Sequence, residues 1–106
     1  MTRHVVAIGG GHGLAASLRA VAGTADHVTA VVSTADDGGS TGRLRESWDV
    51  PALGDVRRCL AALAPDGGLW PRVLERRFDA GELTGHAVGN LLLLALTEEL
   101  GDLQSA

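Results

Sequence analysis

The feature that most restricts how this chain can fold is a glycine-rich turn at residues 9–13 (Gly-Gly-Gly-His-Gly). It follows a short β-branched run at 5–8, which is typical of a buried strand. Apolar residues then recur at i, i+4 and i+7 over 14–22, which predicts an amphipathic helix. A second β-branched run at 28–34 predicts another strand. Strand, helix and strand at this spacing indicate a βαβ unit with parallel strands.

The remainder of the chain predicts further helices. We expect Asp55 to cap a helix whose apolar stripe is Val56, Leu60 and Leu63, and Trp70 to begin a shorter helix with solvated arginines. A last helix over 90–100 is apolar nearly all round, so it should be buried. Residues 36–42 should be irregular, because their glycines cost backbone entropy in a regular element.

These elements predict one Rossmann-like, three-layer α/β/α domain over residues 1–106, with a mostly parallel sheet. A doubly wound sheet normally has more strands than the two found here. We therefore expect the chain to be the truncated N-terminal part of a larger nucleotide-binding domain.

Composition excludes several classes of function. The formal net charge of −4, with acids and bases interspersed, argues against nucleic-acid binding. The single cysteine, Cys59, suits a reducing compartment, and we expect it in the core. No apolar run is long enough for a signal peptide or a membrane span. We therefore expect a cytoplasmic protein.

The first candidate site is the glycine turn itself. Glycines between a strand and a helix let backbone N–H groups approach a phosphate at the positive end of the helix dipole. The Gly-x-Gly-x-Gly spacing is not the dinucleotide fingerprint, so NAD is not implied. A tight turn needed only for packing, with an exposed histidine, is the alternative. The candidate nucleotide-binding residues are Gly10, Gly11, His12 and Gly13.

The second candidate site follows the second strand. Acidic residues at this position hold ribose hydroxyls in dinucleotide folds, or they could help to hold Mg²⁺ beside phosphates. The small residues add hydrogen-bond donors, and an arginine adds a phosphate-matching fork. A solvated acidic turn is the alternative. The candidates are Asp36, Asp37, Gly39, Ser40, Thr41 and Arg43.

Two later glycine-containing segments complete the candidate set. Gly54 and Asp55 could lie near a ligand, with Asp55 joining Asp36 and Asp37 at a metal and one arginine of the pair 57–58 near a phosphate, or Asp55 could be only a helix cap. His86, Gly89 and Asn90 precede a buried helix, where Asn90 could recognise a base or sugar; His86 could instead be structural. Loops at the carboxyl ends of parallel strands gather along one crevice, which predicts one site for a phosphate-bearing nucleotide.

The order of these motifs resembles the start of a known family. Gly-Gly-Gly-His-Gly-Leu (9–14), Ala-Asp-Asp-Gly-Gly-Ser-Thr-Gly-Arg-Leu-Arg (35–45), Gly-Asp-Val-Arg-Arg-Cys-Leu (54–60) and Gly-His-Ala-Val-Gly-Asn-Leu-Leu-Leu (85–93) are similar to YvcK proteins. These gluconeogenesis factors belong to the CofD-like superfamily. The chain departs from them at His12, where threonine is commoner, and at Arg58, where asparagine is usual.

The resemblance implies a bacterial, cytoplasmic protein that binds UDP-sugars, notably UDP-N-acetylglucosamine. Such proteins influence cell shape, cell-wall precursor supply and growth on gluconeogenic carbon sources, with no established catalytic activity. The CofD branch implies an alternative, a Mg²⁺-dependent 2-phospho-L-lactate transferase of coenzyme F420 biosynthesis. A second alternative is an NAD-binding Rossmann domain, which the acidic residue after the second strand would support. Whether the protein forms a homo-oligomer stays open.

Overall fold

A computed structural model describes residues 2–34, 38–65 and 67–106 of the chain. Strands β1 (His4–Gly9) and β2 (His27–Val32) pair in parallel, from His4 opposite His27 to Gly9 opposite Val32. Helix α1 (Gly11–Ala22) connects them and begins three residues earlier than predicted. The α/β class and the parallel βαβ unit are confirmed.

The first core lies between one face of the sheet and two helices. Helix α3 (Leu53–Leu63) packs on α1, and small side chains such as Ala15 and Ala62 allow this close approach. Cys59 is buried here as expected, and burial, followed by the charge of Asp55, raises the pKa of its thiol. The other face of the sheet carries exposed apolar side chains, which are Val6, Ile8 and Val31.

The remaining helices are α2 (Gly39–Arg45), α4 (Leu69–Glu75) and α5 (Val88–Leu100), with a 3₁₀ turn at Gly81–Leu83. The second core joins α2, α3 and α5, whereas α4 has no buried residue and packs against α3 and α5 from outside this core. Leu53 of α3 packs with apolar side chains of α2 and α5. The expected full burial of the last helix is wrong, because it packs on α3 and α4 along one side only and its residues Leu92 and Leu100 are exposed.

Three further expectations about local structure are wrong. Residues 39–42 lie in α2, because Gly39 takes a left-handed φ of 52° at its start and lets the helix follow directly. Asp55 is not an N-cap, since α3 begins at Leu53 and places Asp55 in its first turn. The expected stripe of α3 fails too, since Leu60 is 44% exposed and Leu63 40%. The buried face of α3 instead combines small and apolar residues, such as Leu53 and Cys59, with the polar Asp55 and Arg57.

Among residues 2–34, 38–65 and 67–106, no helix combines the length and apolarity that a membrane crossing requires.

Candidate functional site

Three of the four predicted loops meet at one cavity. Its volume is about 180 Å³, and it lies where the start of α2, the first turns of α3 and the start of α5 come together. Five predicted site residues line it: Gly39, Ser40, Thr41, Gly54 and Asn90. Gly38 and three arginines complete the lining: Arg57, Arg58 and Arg77.

A chain of buried hydrogen bonds crosses the wall of this cavity. The Nη1 of Arg57 donates to Oδ1 of Asn90 over 2.8 Å. Because a guanidinium group only donates, this bond fixes the orientation of the Asn90 amide. Its Nδ2 therefore donates to Oγ of Ser40 over 3.2 Å, and that oxygen lies 2.7 Å from Nδ1 of His86. Within the described residues, no buried side-chain nitrogen or oxygen lacks a hydrogen-bond partner.

Arg57 brings a positive charge into the interior. Only 1% of its side chain is exposed, and its Nε donates to Oε1 of Glu75 over 3.4 Å. Burial lowers the pKa of Arg57, the Glu75 carboxylate opposes this shift, and the charges of Arg58 and Arg77 add to it. Arginine keeps its charge at physiological pH even so. The cavity wall is therefore positively charged.

Two glycines are required because other groups occupy the space of a side chain. A Cβ on Gly89 would lie 2.6 Å from Cγ of Arg57 and 2.7 Å from the carbonyl oxygen of Leu74. A Cβ on Gly54 would lie 2.7 Å from Oγ1 of Thr41, the oxygen that accepts the N–H of Gly54 over 3.1 Å. These glycines let α5 and α3 approach their neighbours closely enough to bring the arginine and the amide together.

The first glycine turn lies beside the third loop. Gly11 has a φ of 59°, and a Cβ on it would lie 3.7 Å from Oδ1 of Asp55. The buried Asp55 carboxylate therefore lies near the amino end of α1, where the helix dipole favours negative charge, and 3.7 Å from Nη1 of Arg58. Gly10 approaches Ser33, whereas residues 12 and 13 are exposed.

Arg43 is held by the 3₁₀ segment. Its Nη1 donates to the carbonyl oxygen of Thr84 over 2.5 Å and its Nη2 to that of Glu82 over 3.1 Å. A second, more open cavity of about 350 Å³ lies along α2 and shares Gly39 with the first. Its other lining residues are Gly42, Arg43, Arg45 and Glu46.

The acidic half of the second loop, Asp36 and Asp37, lies outside the described residues. In the part of the chain that is described, no three His, Cys, Asp or Glu side chains come together as a metal site would require. Asp55 by itself faces Arg58, which competes with a cation for its carboxylate. A magnesium site at Asp36, Asp37 and Asp55 therefore stays a prediction.

Arg77 is the site residue that sequence reasoning missed. The apolar pattern predicts it as solvated on a helix reaching Phe78. Arg77 is exposed as predicted, but the helix is shorter than predicted, since α4 ends at Glu75. Arg77 instead forms an antiparallel bridge with Ala87, and its Nη1 donates to the carbonyl oxygen of Gly85 over 2.7 Å. No pattern in the sequence predicts this bridge. A weak signal was the cluster of arginines near the glycine-rich segment that follows.

The His86 side chain makes stability depend on pH. Burial lowers the pKa of His86, and the charges of Arg43 and Arg77 lower it further. The unfolded chain then binds the proton more readily, so the free energy of unfolding should fall as pH drops from about 6.5 towards the folded-state pKa. Urea unfolding at pH 7.5 and pH 5.5 measures this. His86→Asn, whose amide oxygen can accept from Ser40, should reduce the difference; an unchanged difference would refute the assignment to His86.

Comparison with known proteins gives consistent matches over nearly the whole chain. The family model described as CofD, 2-phospho-L-lactate transferase, matches residues 5–106. A Mycobacterium tuberculosis protein named "Putative gluconeogenesis factor" is 54% identical over 106 residues, covering 96% of this chain and 31% of its own length. The "Gluconeogenesis factor" of Halalkalibacterium halodurans is 46% identical over 101 residues, covering 94% of this chain and 31% of its own length.

Solved structures agree with these matches. A crystal structure of a Bacillus halodurans protein superposes with a TM-score of 0.85 at 45% identity, covering 96% of this chain and 33% of its own. A second, described as a member of the upf0052 family, gives 0.87 at 42% identity. The chain spans about a third of the length of the relatives that it matches.

Proposed function

Because this chain belongs to the CofD family, with gluconeogenesis factors among its relatives, we propose that it binds a nucleotide sugar of the UDP-N-acetylglucosamine class. The observation that carries the proposal is the cavity lined by Arg57, Arg58 and Arg77. Binding serves a regulatory role in cell shape, cell-wall precursor supply and growth on gluconeogenic carbon. A cytoplasmic location belongs to the same proposal.

The charge of the cavity supports an anionic ligand. Three guanidinium groups face two carboxylates, those of Glu75 and Asp55, so the local balance is positive although the chain is acidic. Guanidinium forks match phosphate oxygens in geometry, and their hydrogen bonds to phosphate are stronger than those between neutral groups. Buried walls weaken screening by solvent, which strengthens the attraction.

The size of the cavity indicates which part of the ligand it takes. A volume of about 180 Å³ is below the range of ~300–1,000 Å³ that is usual for whole small-molecule ligands. It suits the diphosphate, while the larger cavity beyond Gly39 offers room for the rest of the ligand. Both cavities border Gly39, so one extended molecule can occupy the two.

The first glycine turn plays a different part in this proposal. A carboxylate already lies beside Gly11, and it would repel a phosphate placed against it. Asp55 instead suits a hydroxyl or N–H donor of the ligand, such as a ribose hydroxyl. The backbone N–H groups of residues 11–13 then donate to the part of the ligand that lies outside the cavity. Asp36 and Asp37 stay candidates for binding the ribose or a magnesium ion.

Calorimetric titration of the purified protein with UDP-N-acetylglucosamine tests the proposal. We expect binding, with an affinity reduced about tenfold by Arg77→Ala, because a charge-assisted hydrogen bond contributes about 1.5–3 kcal/mol. Arg76→Ala removes the same charge from the exposed neighbouring position and is the matched control. The absence of heat at millimolar ligand, or equal losses in the two variants, would contradict the proposal.

A second candidate is the activity named by the family model, transfer of a phospholactate group. It is favoured less, because the relatives at 54% and 46% identity carry the gluconeogenesis name. Turnover of a guanylylated phospholactate donor with a deazaflavin acceptor would support it over binding alone.

A further inference from the structure

The hydroxyl group of Ser40 is arranged as a nucleophile. Its oxygen accepts the amide N–H of Asn90 over 3.2 Å and lies 2.7 Å from Nδ1 of His86. Since Asn90 supplies the proton of its own bond, the hydroxyl proton of Ser40 is available to point at the imidazole. A hydroxyl that donates to an imidazole nitrogen is the arrangement by which proteins activate serine.

His86 is suited to act as the base. It is 8% exposed, and the positive charges of Arg43 and Arg77 act on its imidazole. Burial and these two charges lower the pKa of His86, so the imidazole is neutral at physiological pH and can accept a proton.

The surroundings of Ser40 suit attack on phosphorus. Ser40 lines the same cavity as Arg57, Arg58 and Arg77, whose positive charges would stabilise the negative charge that builds up on phosphoryl oxygens. Thr41, the neighbouring hydroxyl in the cavity, instead accepts the backbone N–H of Gly54 over 3.1 Å. Ser40 is thus the hydroxyl that combines a base and an anion-stabilising wall.

We propose that Ser40 is a phosphoryl-group acceptor with His86 as its general base, which rests on the proposed binding of a nucleotide sugar in this cavity. The Oγ of Ser40 bonds to the β-phosphorus of the bound UDP-sugar. The bond between that phosphorus and the bridging oxygen breaks, and UMP leaves with the oxygen. His86 takes the hydroxyl proton. The product is a serine phosphodiester that carries the sugar.

Mass spectrometry of the complete natural protein after incubation with UDP-N-acetylglucosamine tests this step. We expect a gain equal to one N-acetylglucosamine phosphate group on the peptide containing Ser40, with one UMP released per adduct. Ser40→Ala should abolish both. His86→Asn keeps a hydrogen-bond acceptor but no base, and should slow the adduct at least 100-fold, the lower end of general-base contributions. Ser47→Ala, an exposed serine just beyond α2, is the control and should react normally.

The outcomes separate this inference from the proposed function. If titration shows binding but neither the adduct nor UMP forms, the assignment of Ser40 as a nucleophile is overturned and the binding function stays intact. An adduct on another residue, or one that survives in His86→Asn at the normal rate, would also overturn it. A protein that does not bind the ligand at all would overturn both. If Ser40→Ala fails to fold, the rate with His86→Asn still decides.

Discussion

Alanine in place of Gly89 is expected to destabilise the protein by about 3 kcal/mol and to abolish ligand binding. The added Cβ would lie 2.6 Å from Cγ of Arg57 and 2.7 Å from the carbonyl oxygen of Leu74. Overpacking of this kind typically costs ~1–3 kcal/mol, and a backbone carbonyl can move less than a side chain. Relief requires α5 to move away from α4 or Arg57 to leave its position, and either movement separates Arg57 from Asn90.

Urea unfolding and ligand titration of Gly89→Ala measure the two effects. Gly23→Ala is the matched control, because Gly23 has a φ of −84° and a Cβ added to it would have no other group within 4 Å. That control should leave stability unchanged or raise it by about 0.5 kcal/mol. If Gly89→Ala were as stable as the control and bound the ligand, the close packing of α5 on Arg57 would be refuted.

Methionine in place of Arg57 is the second change with a large expected effect. It fills a similar space without the guanidinium, so Asn90 loses its donor and the Glu75 carboxylate loses its partner. Removing one member of a buried ion pair can cost ~3–5 kcal/mol. Glu75 is 36% exposed and water can replace its partner, so we expect a loss of about 2 kcal/mol. Affinity for the nucleotide sugar should fall about 100-fold, which corresponds to roughly 2.7 kcal/mol.

Two further variants separate charge from geometry at this position. Arg57→Lys keeps the charge but not the fork that reaches two partners, so its affinity should lie between those of wild type and Arg57→Met. Arg72→Met removes a charge from an exposed position on α4 and should bind normally. If calorimetry on folded Arg57→Met gave the wild-type affinity, Arg57 would not be part of the ligand-binding site.

The sequence was sufficient to predict the βαβ unit. Local periodicity and the intervening glycines specify its strands and its first helix. Both signals lie within a short stretch of chain, so they can be recognised in the sequence. It also predicted that the four loops converge, on the expectation that they lie at the carboxyl ends of parallel strands. In the described residues only the first two loops follow a strand, and the cavity forms at the starts of α2, α3 and α5. Ser40, Gly54 and Asn90 do line one cavity.

The residues that define the chemistry of the cavity were harder to predict. Arg57 contacts Glu75 and Asn90, which are 18 and 33 residues away, and a buried arginine is contrary to the usual preference of that side chain. The start of α2 was predicted to be irregular because glycine has a high entropic cost in a helix. The helix forms there because the side chains of Ser40 and Thr41 make hydrogen bonds to distant residues that stabilise this turn. Stabilisation by contacts between residues far apart in the chain leaves no pattern in the local sequence.

The central claim is that the arginine-lined cavity binds the phosphates of a nucleotide sugar. A crystal structure of the protein with UDP-N-acetylglucosamine tests it most directly. We predict phosphate oxygens within about 3 Å of guanidinium nitrogens of Arg57 and Arg77, with the sugar or the base extending past Gly39. A diphosphate bound elsewhere, with only solvent between these two arginines, would contradict the claim.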